Sequence, residues 1–182
     1  MQDKLQEYED RTFQQRAKME KTIKSIEIAL ENELREREFY LKHRKRTQTL
    51  VGRMMFAKIA REEDEHYQRL KNLHEELSKQ GKWPENISAV KGTDIKKVLK
   101  DVLEKADDST SPDTDDREAV NIAIAFETEA YNFYSKLRDS ADTASEKDFF
   151  DRLAAIENEH LSTLKETRDY FDSTTKQEKT DL

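Results

Sequence analysis

The sequence contains no cysteine, only three glycines and two prolines, and no long run of apolar residues. The lack of cysteine excludes disulfides, thiolate metal sites and Cys-ligated iron–sulfur clusters, and it fits a reducing cytoplasm. The lack of a long apolar run predicts that the chain does not span a membrane. The N-terminal segment MQDKLQEYED has no apolar core and does not match a secretory signal. Few glycines and prolines leave long helices possible.

Charged residues make up 40% of the chain, hydrophobic residues 34%, and the formal net charge is −7. Such a composition approaches that of a disordered chain, but here the apolar residues recur at helical spacing. No segment shows the sustained alternation that is typical of strands. The negative charge argues against binding to nucleic acid, and the basic run of residues 42–46 is interpreted as a solvated helix face. We therefore expect an all-helical cytoplasmic domain.

Two copies of the motif E-x-x-H lie on apolar helical seams, 94 residues apart. The copies are Glu63 with His66 and Glu157 with His160. A carboxylate and an imidazole three residues apart share one helix face, and here that face is otherwise apolar. Burying both groups is costly unless something in the core binds them. A metal ion is the simplest such partner.

The same shift of 94 residues relates a second pair of seam positions. Glu33 precedes Tyr40 by seven residues, as Glu127 precedes Tyr134, and each Glu lies 30 residues before the E-x-x-H glutamate of its half. The chain therefore contains one helix pair twice, in about residues 23–79 and 117–173.

The pattern predicts four long helices, at about residues 21–45, 50–79, 117–140 and 146–173. Gly81 and Pro84 mark the end of the second helix, and Ser145 is the predicted N-cap of the fourth. Residues 81–116 form a long crossover with a short helix at 95–106, capped by Asp94, and Trp83 is predicted to anchor the crossover on the bundle. Residues 1–22 are predicted to be a helical extension, and 174–182 a disordered tail.

Two helix pairs joined by a long crossover give a four-helix bundle of residues 23–173. In such bundles one Glu from each of two helices and one E-x-x-H from each of the other two converge on two metal ions. The predicted ligands are Glu33, Glu63, His66, Glu127, Glu157 and His160. Four carboxylates and two imidazoles suit iron or manganese better than structural zinc. The alternative is a charged bundle whose inward acids pair with bases such as Arg37.

The segments ENELREREFY and REEDEH in the first half, and AFETEAYNFY and FFDRLAAIENEH in the second, resemble the rubrerythrin branch of the ferritin-like superfamily over residues 23–171. The resemblance implies a ferritin-like bundle with two iron ions that reduces hydrogen peroxide or oxygen. It also implies that Tyr40 and Tyr134 hydrogen-bond the ligating carboxylates. Glu36 would be the family's extra carboxylate ligand and a catalytic group that exchanges with His160. Rubrerythrins carry this extra carboxylate in the other half of the repeat, at the position that Ala130 occupies in this sequence.

Without cysteine, the sequence contains no rubredoxin-type centre, so a separate rubredoxin-like electron donor is expected. Two other functions stay open: an iron-handling or storage protein that oxidises iron(II), and a structural di-metal bundle without enzymatic activity. A di-manganese or mixed iron–manganese centre is a further alternative. The long crossover would also allow a homodimer in which the halves are exchanged. His43 and His74 have no partners at metal spacing and are interpreted as surface residues.

Overall fold

A computed structural model of the chain describes residues 2–84, 87, 92, 95–104 and 111–180, with no description of the side chains of residues 3–5, 8, 9, 11 and 175–180. These residues form five helices and no strand, which confirms the predicted all-α class. The helices are α1 (Gln2–Arg46), α2 (Leu50–Gln80), α3 (Ile95–Leu103), α4 (Thr114–Asp139) and α5 (Ala144–Thr180). None of them carries a stretch long and apolar enough to cross a membrane.

The bundle consists of two helix hairpins joined by the crossover. α1 packs along α2 and α4 packs along α5, while the short α3 lies on α2 and α5. Each hairpin has a short connection, which brings the two helices together in antiparallel directions. The predicted four-helix bundle with a helix inside its crossover is therefore present.

The connection between α1 and α2 is a threonine-rich turn that the sequence did not reveal. Thr49 is the N-cap of α2, and its Oγ1 accepts a hydrogen bond of 3.0 Å from the N–H of Gly52. A Cβ on Gly52 would lie 2.7 Å from Oγ1 of both Thr47 and Thr49. The turn therefore packs directly onto the glycine backbone, and only the glycine leaves room for it.

The start of α5 differs from the prediction because another residue caps it. Oγ1 of Thr143 accepts a hydrogen bond of 3.1 Å from the N–H of Glu146, so Thr143 holds the position predicted for Ser145. Oγ of Ser145 instead accepts a hydrogen bond of 3.3 Å from Nε1 of Trp83. The Trp83 ring also packs edge-on against Phe149, at 5.9 Å between centroids. Trp83 thus anchors the crossover on the bundle, as predicted.

Several helix ends also differ from the predicted ones. α1 is continuous from Gln2, and α5 continues to Thr180, past the predicted end at 173 and into the segment for which disorder was predicted. No glycine or proline interrupts either segment, and good helix formers such as Lys, Gln and Glu fill them. α4 begins three residues early, because Asp113 accepts a hydrogen bond of 2.7 Å from the N–H of Asp116. α3 ends at Leu103, before the predicted 106, and Asp94 lies outside the described residues.

The hydrophobic core is divided into two clusters with a polar layer between them. One cluster contains Tyr40, Phe56, Ile59, Val120 and Phe171, and the other contains Ile26, Leu70, Tyr134, Phe150 and Leu153. On each of the four long helices, buried polar residues lie between the first cluster and the second: Glu33, Glu36, Glu62, Glu63, His66, Glu127, Glu157 and His160. The fold therefore encloses the polar layer with apolar side chains at both ends.

Candidate metal centre

Six buried polar side chains, one or two from each long helix, meet in the polar layer. Each is at most 2% exposed. They are the six predicted ligands: Glu33 on α1, Glu63 and His66 on α2, Glu127 on α4, and Glu157 and His160 on α5. The structure thus brings together residues that lie up to 127 positions apart in the chain (160 − 33).

The ligand atoms of these residues fall into two groups, and within each group all atoms lie within 4.8 Å of one another. In the first, Nδ1 of His66 lies 3.3 Å from Glu33, 3.1 Å from Glu63 and 3.3 Å from Glu157. In the second, Nδ1 of His160 lies 3.1 Å from Glu63, 3.4 Å from Glu127 and 3.3 Å from Glu157. We call these groups the His66 position and the His160 position. Because Glu63 and Glu157 belong to both, they can bridge two cations.

Most donor atoms of the centre lack a hydrogen-bond partner, although Nδ1 of His66 is hydrogen-bonded to Oε2 of Glu63 at 3.1 Å. Among the described side chains, the buried atoms without a hydrogen-bond partner include Glu33 Oε2, Glu63 Oε1, Glu127 Oε2, both oxygens of Glu157 and Nδ1 of His160. A buried polar atom left without a partner destabilises a fold by about 1–3 kcal/mol. Two divalent cations would satisfy all six atoms, so the residues present fit a di-metal centre.

The alternative, that inward acids are neutralised by a base such as Arg37, does not describe this centre. Nε of Arg37 lies 3.3 Å from Oδ1 of Asp64, and both side chains are about a third or more exposed. Arg37 therefore forms a solvent-exposed ion pair beside the bundle and leaves the buried carboxylates without it.

Burial and mutual charge strongly shift the pKa values of the side chains in the centre. It raises the pKa of Glu127 to about 8 and raises the pKa of Glu33 well above its usual range. Burial also opposes ionisation of Glu63, but the nearby His160 and His66 outweigh it and lower the pKa of Glu63. The pKa values of both histidines are raised, because the surrounding carboxylates outweigh the effect of burial. Without metal, the centre therefore balances its charge by holding protons.

Two tyrosines connect the centre to the apolar clusters in a crossed pattern. The Tyr40 hydroxyl donates a hydrogen bond to Oε1 of Glu127, and the Tyr134 hydroxyl donates one to Oε1 of Glu33. Each tyrosine thus binds the carboxylate of the opposite half of the repeat. In both cases the other oxygen, Oε2, is the one that lacks a hydrogen bond and belongs to a ligand group.

Glu36 is buried at 2% exposure but does not belong to either ligand group. One of its oxygens lies 3.5 Å from Nη2 of Arg35. Burial raises the pKa of Glu36 to about 11, and among the neighbouring carboxylates Glu127 has the largest effect.

Glu62 is a buried residue of the centre that the sequence pattern did not reveal. Its Oε2 lies 2.8 Å from Nε2 of His160, and its Oε1 lies 2.5 Å from Nζ of Lys58. Within the acidic run REEDEH, one extra Glu beside Glu63 does not stand out as a functional residue. One signal was available: at a shift of 94 the chain has Ile156 in place of Glu62, so the repeat is broken at this position.

The other two histidines lie outside the centre, but they differ from each other. His74 pairs with the exposed Glu27 at 3.2 Å. Both histidines are half-buried, and His43 packs on aromatic rings. Its ring packs on Phe39 and Phe56, at 4.3 and 5.9 Å between centroids. Burial, together with the charges of Arg46 and Lys42, lowers the pKa of His43.

A comparison with protein-family models identified a match to the family described as Rubrerythrin, over residues 24–168. The match covers all six residues of the centre. Searches of curated proteins and of solved structures found no match.

Proposed function

The chain belongs to the rubrerythrin family, and from this premise we propose that it is a non-haem di-iron oxidoreductase that reduces hydrogen peroxide with electrons from a separate donor protein. The observation that carries the proposal is the convergence of six buried donor residues whose unpaired atoms fit two cations. The sequence has no cysteine, so it contains no rubredoxin-type centre that could supply the electrons.

The donor set indicates which residues would hold each ion. Glu33 and His66 would bind one ion, Glu127 and His160 would bind the other, and Glu63 and Glu157 would contact both. Four carboxylates offset the charge of two divalent cations, and oxygen-rich ligation with one nitrogen at each position suits iron or manganese. A carboxylate centre of this kind is common in bundles of this architecture.

When bound, the two iron ions supply the two electrons with which hydrogen peroxide, taking up two protons, is converted to two molecules of water. The residues of the chain prepare the place for this chemistry. Tyr40 and Tyr134 fix one oxygen of Glu127 and of Glu33, which directs the other oxygen of each towards the ions. The two apolar clusters exclude water from both ends of the centre. Glu36, which is buried but belongs to neither ligand group, would be the extra carboxylate that alternates with His160 in binding an ion.

The decisive experiment is metal analysis of protein purified without oxygen, followed by peroxide titration with a small one-electron donor. We expect about two iron ions per chain, as in di-iron bundles of this type, and peroxide consumption that depends on them. Peroxide that is not consumed by fully loaded protein would refute the peroxidase activity. The solution mass gives a second criterion, because we propose a homodimer and an iron-storage cage requires many subunits.

The catalytic role of Glu36 is tested by Glu36→Ala, with Glu38→Ala as a control on an exposed face of the same helix. Because Glu36 lies outside both ligand groups, we expect Glu36→Ala to keep its iron and to lose about 100–10,000-fold in peroxide turnover, a typical effect of one catalytic group. The control should behave as the wild type. Unchanged turnover of the Glu36 variant would show that the carboxylate is not needed.

A further inference from the structure

The two imidazoles of the centre are held differently. Nδ1 of each ring faces the shared carboxylates. Among the described residues, only His160 also has a carboxylate beside its other ring nitrogen, Nε2. Nε2 of His160 lies 2.8 Å from Glu62, whereas the repeat places the apolar Ile156 at the position that corresponds to Glu62. The pseudo-symmetry of the fold is therefore broken beside one of the two ligand groups.

Lys58 completes the arrangement around Glu62. Its Nζ lies 2.5 Å from Oε1 of Glu62, so the two oxygens of Glu62 contact Lys58 and His160. Lys58 is only 9% exposed and Glu62 only 2%. A buried carboxylate cannot leave its cation and its imidazole without a large desolvation penalty. The ion pair therefore restrains Glu62, and Glu62 restrains the ring of His160.

The crossover covers the two equivalent faces of the repeat differently. Helix α3 covers the Lys58 side, where Lys58 and Thr163 line a cavity of about 10 Å³ together with Leu99. On the other side Gly92 of the crossover lies against Ile156, since a Cβ on Gly92 would lie 3.0 Å from Cγ1 of Ile156. A duplicated fold has two equivalent faces, but a single crossover covers each of them differently.

We propose that Lys58 and Glu62 are positioning residues that fix the His160 ring with Nδ1 towards its ion, so that the His160 position binds a divalent cation more tightly than the His66 position. A partner on the second ring nitrogen fixes the tautomer and the orientation of a ligating histidine and makes it a better donor. This inference rests on the proposed function, because it requires that both positions bind metal.

The two positions can be measured separately with Co²⁺ as the probe. His66→Ala leaves the His160 position, and His160→Ala leaves the His66 position. In each background, the dissociation constant of Co²⁺ is measured with and without Glu62→Gln. We expect Glu62→Gln to weaken binding about 10–100-fold in the His66→Ala background, as is typical for the partner of a ligating histidine. In the His160→Ala background the change should be less than about threefold. Lys58→Met should weaken the His160 position by a smaller factor, since Glu62 remains.

Glu65→Gln is the matched control, because Glu65 lies on the same helix and pairs with Arg61 four residues earlier, but on the exposed face. It should leave both constants unchanged. Equal weakening in the two backgrounds, or no weakening in either, would overturn the inference alone. If neither background nor the wild type binds Co²⁺, the proposed metal centre fails as well.

A second measurement covers the possibility that the histidine variants do not fold. In the Co²⁺-loaded wild type, the ring N–H of His160 should give a shifted proton resonance that exchanges slowly with water, because Glu62 accepts it. In Glu62→Gln alone, this signal should move or exchange faster, while that of His66 stays. Two unchanged signals would contradict the role of Glu62.

Discussion

Tyr40 and Tyr134 each connect a ligand carboxylate to an apolar cluster, the hydroxyl through a hydrogen bond and the ring through packing. Each donates to a carboxylate from the opposite half of the repeat, while its ring remains inside an apolar cluster. The ring of Tyr40 stacks on Phe56 and that of Tyr134 stacks on Phe150, at 6.0 and 6.5 Å between centroids. The tyrosines therefore couple the position of the ligand carboxylates to the packing of the core.

Tyr40→Phe and Tyr134→Phe test this coupling. Each substitution keeps the ring but leaves Oε1 of Glu127 or Glu33 without its donor in a buried place. We expect each variant to lose about 1–3 kcal/mol of stability in the metal-free protein, the usual effect of an unsatisfied buried acceptor. Urea unfolding in the presence of a chelator measures this loss. Tyr131→Phe, at a half-buried position on the same helix as Tyr134, is the control. It should change stability by no more than about 0.5 kcal/mol. A loss equal to that of the control would show that the hydroxyl groups stabilise nothing.

At this scale the sequence predicted the six ligands, and the family resemblance also predicted the hydrogen bonds of Tyr40 and Tyr134, but neither indicated Glu62. Glu33, Glu63, His66, Glu127, Glu157 and His160 were found because a constant shift of 94 residues repeats them on apolar seams. Glu62 follows no such rule, since its contact with His160 joins residues 98 positions apart and depends on how α2 and α5 face each other. Only three-dimensional packing determines which acid of an acidic run points inward.

The helices show why element ends were harder to predict than the elements themselves. Helical periodicity identified all four long helices, because it averages over many residues. The ends depend on single side chains: Thr49 and Asp113 cap α2 and α4, and Thr143 takes the capping role predicted for Ser145. Neighbouring Ser and Thr residues are nearly equivalent as caps in sequence. The choice follows from tertiary contacts, here the hydrogen bond between Trp83 and Ser145.

The turn before α2 makes a prediction at the scale of the element. Replacing glycine by alanine in a helix normally stabilises it by about 1 kcal/mol. Gly52→Ala should instead destabilise the protein by about 1–3 kcal/mol, because the new Cβ would meet two threonine oxygens at 2.7 Å. Met54→Ala, at an exposed position near the start of α2, is the control. Urea unfolding measures whether the Gly52→Ala variant is less or more stable than the wild type. A more stable variant would show that the threonine turn can move away from the new Cβ.

Across the whole molecule, the buried polar layer makes stability depend on what balances its charge. Protons are retained on Glu127, on Glu36 and on the two histidines, whose pKa values lie above those of ordinary side chains. Cations at the two positions would replace the protons on Glu127 and on the two histidines, because ligating carboxylates and imidazoles must be deprotonated. Metal binding and proton release are therefore linked in this fold.

This linkage predicts the pH dependence of the metal-free protein. Between about pH 5 and 8 the folded chain binds more protons than the unfolded chain, since the pKa of Glu127 is raised from 4.5 to about 8 and that of Glu36 to about 11. A raised pKa gives stability that is present at low pH and lost as the pH rises through the folded value. Glu63 and Glu157, whose pKa values are lowered, lose their contribution only below this range. The free energy of unfolding should therefore fall by at least about 1.4 kcal/mol per pH unit, the effect of one extra bound proton.

Urea unfolding at several pH values, with a chelator and then with excess Mn²⁺, measures both branches of the linkage. With Mn²⁺ bound, stability should rise over the same range, because metal affinity increases as the competing protons are lost. Glu127→Gln removes one raised group, so the slope of its metal-free form should be smaller by up to about 1.4 kcal/mol per pH unit. Glu129→Gln, exposed on the same helix, should keep the wild-type slope. A metal-free protein whose stability is flat or rises from pH 5 to 8 would mean that cations are not needed to balance the buried acids, since those acids would already be ionised without them.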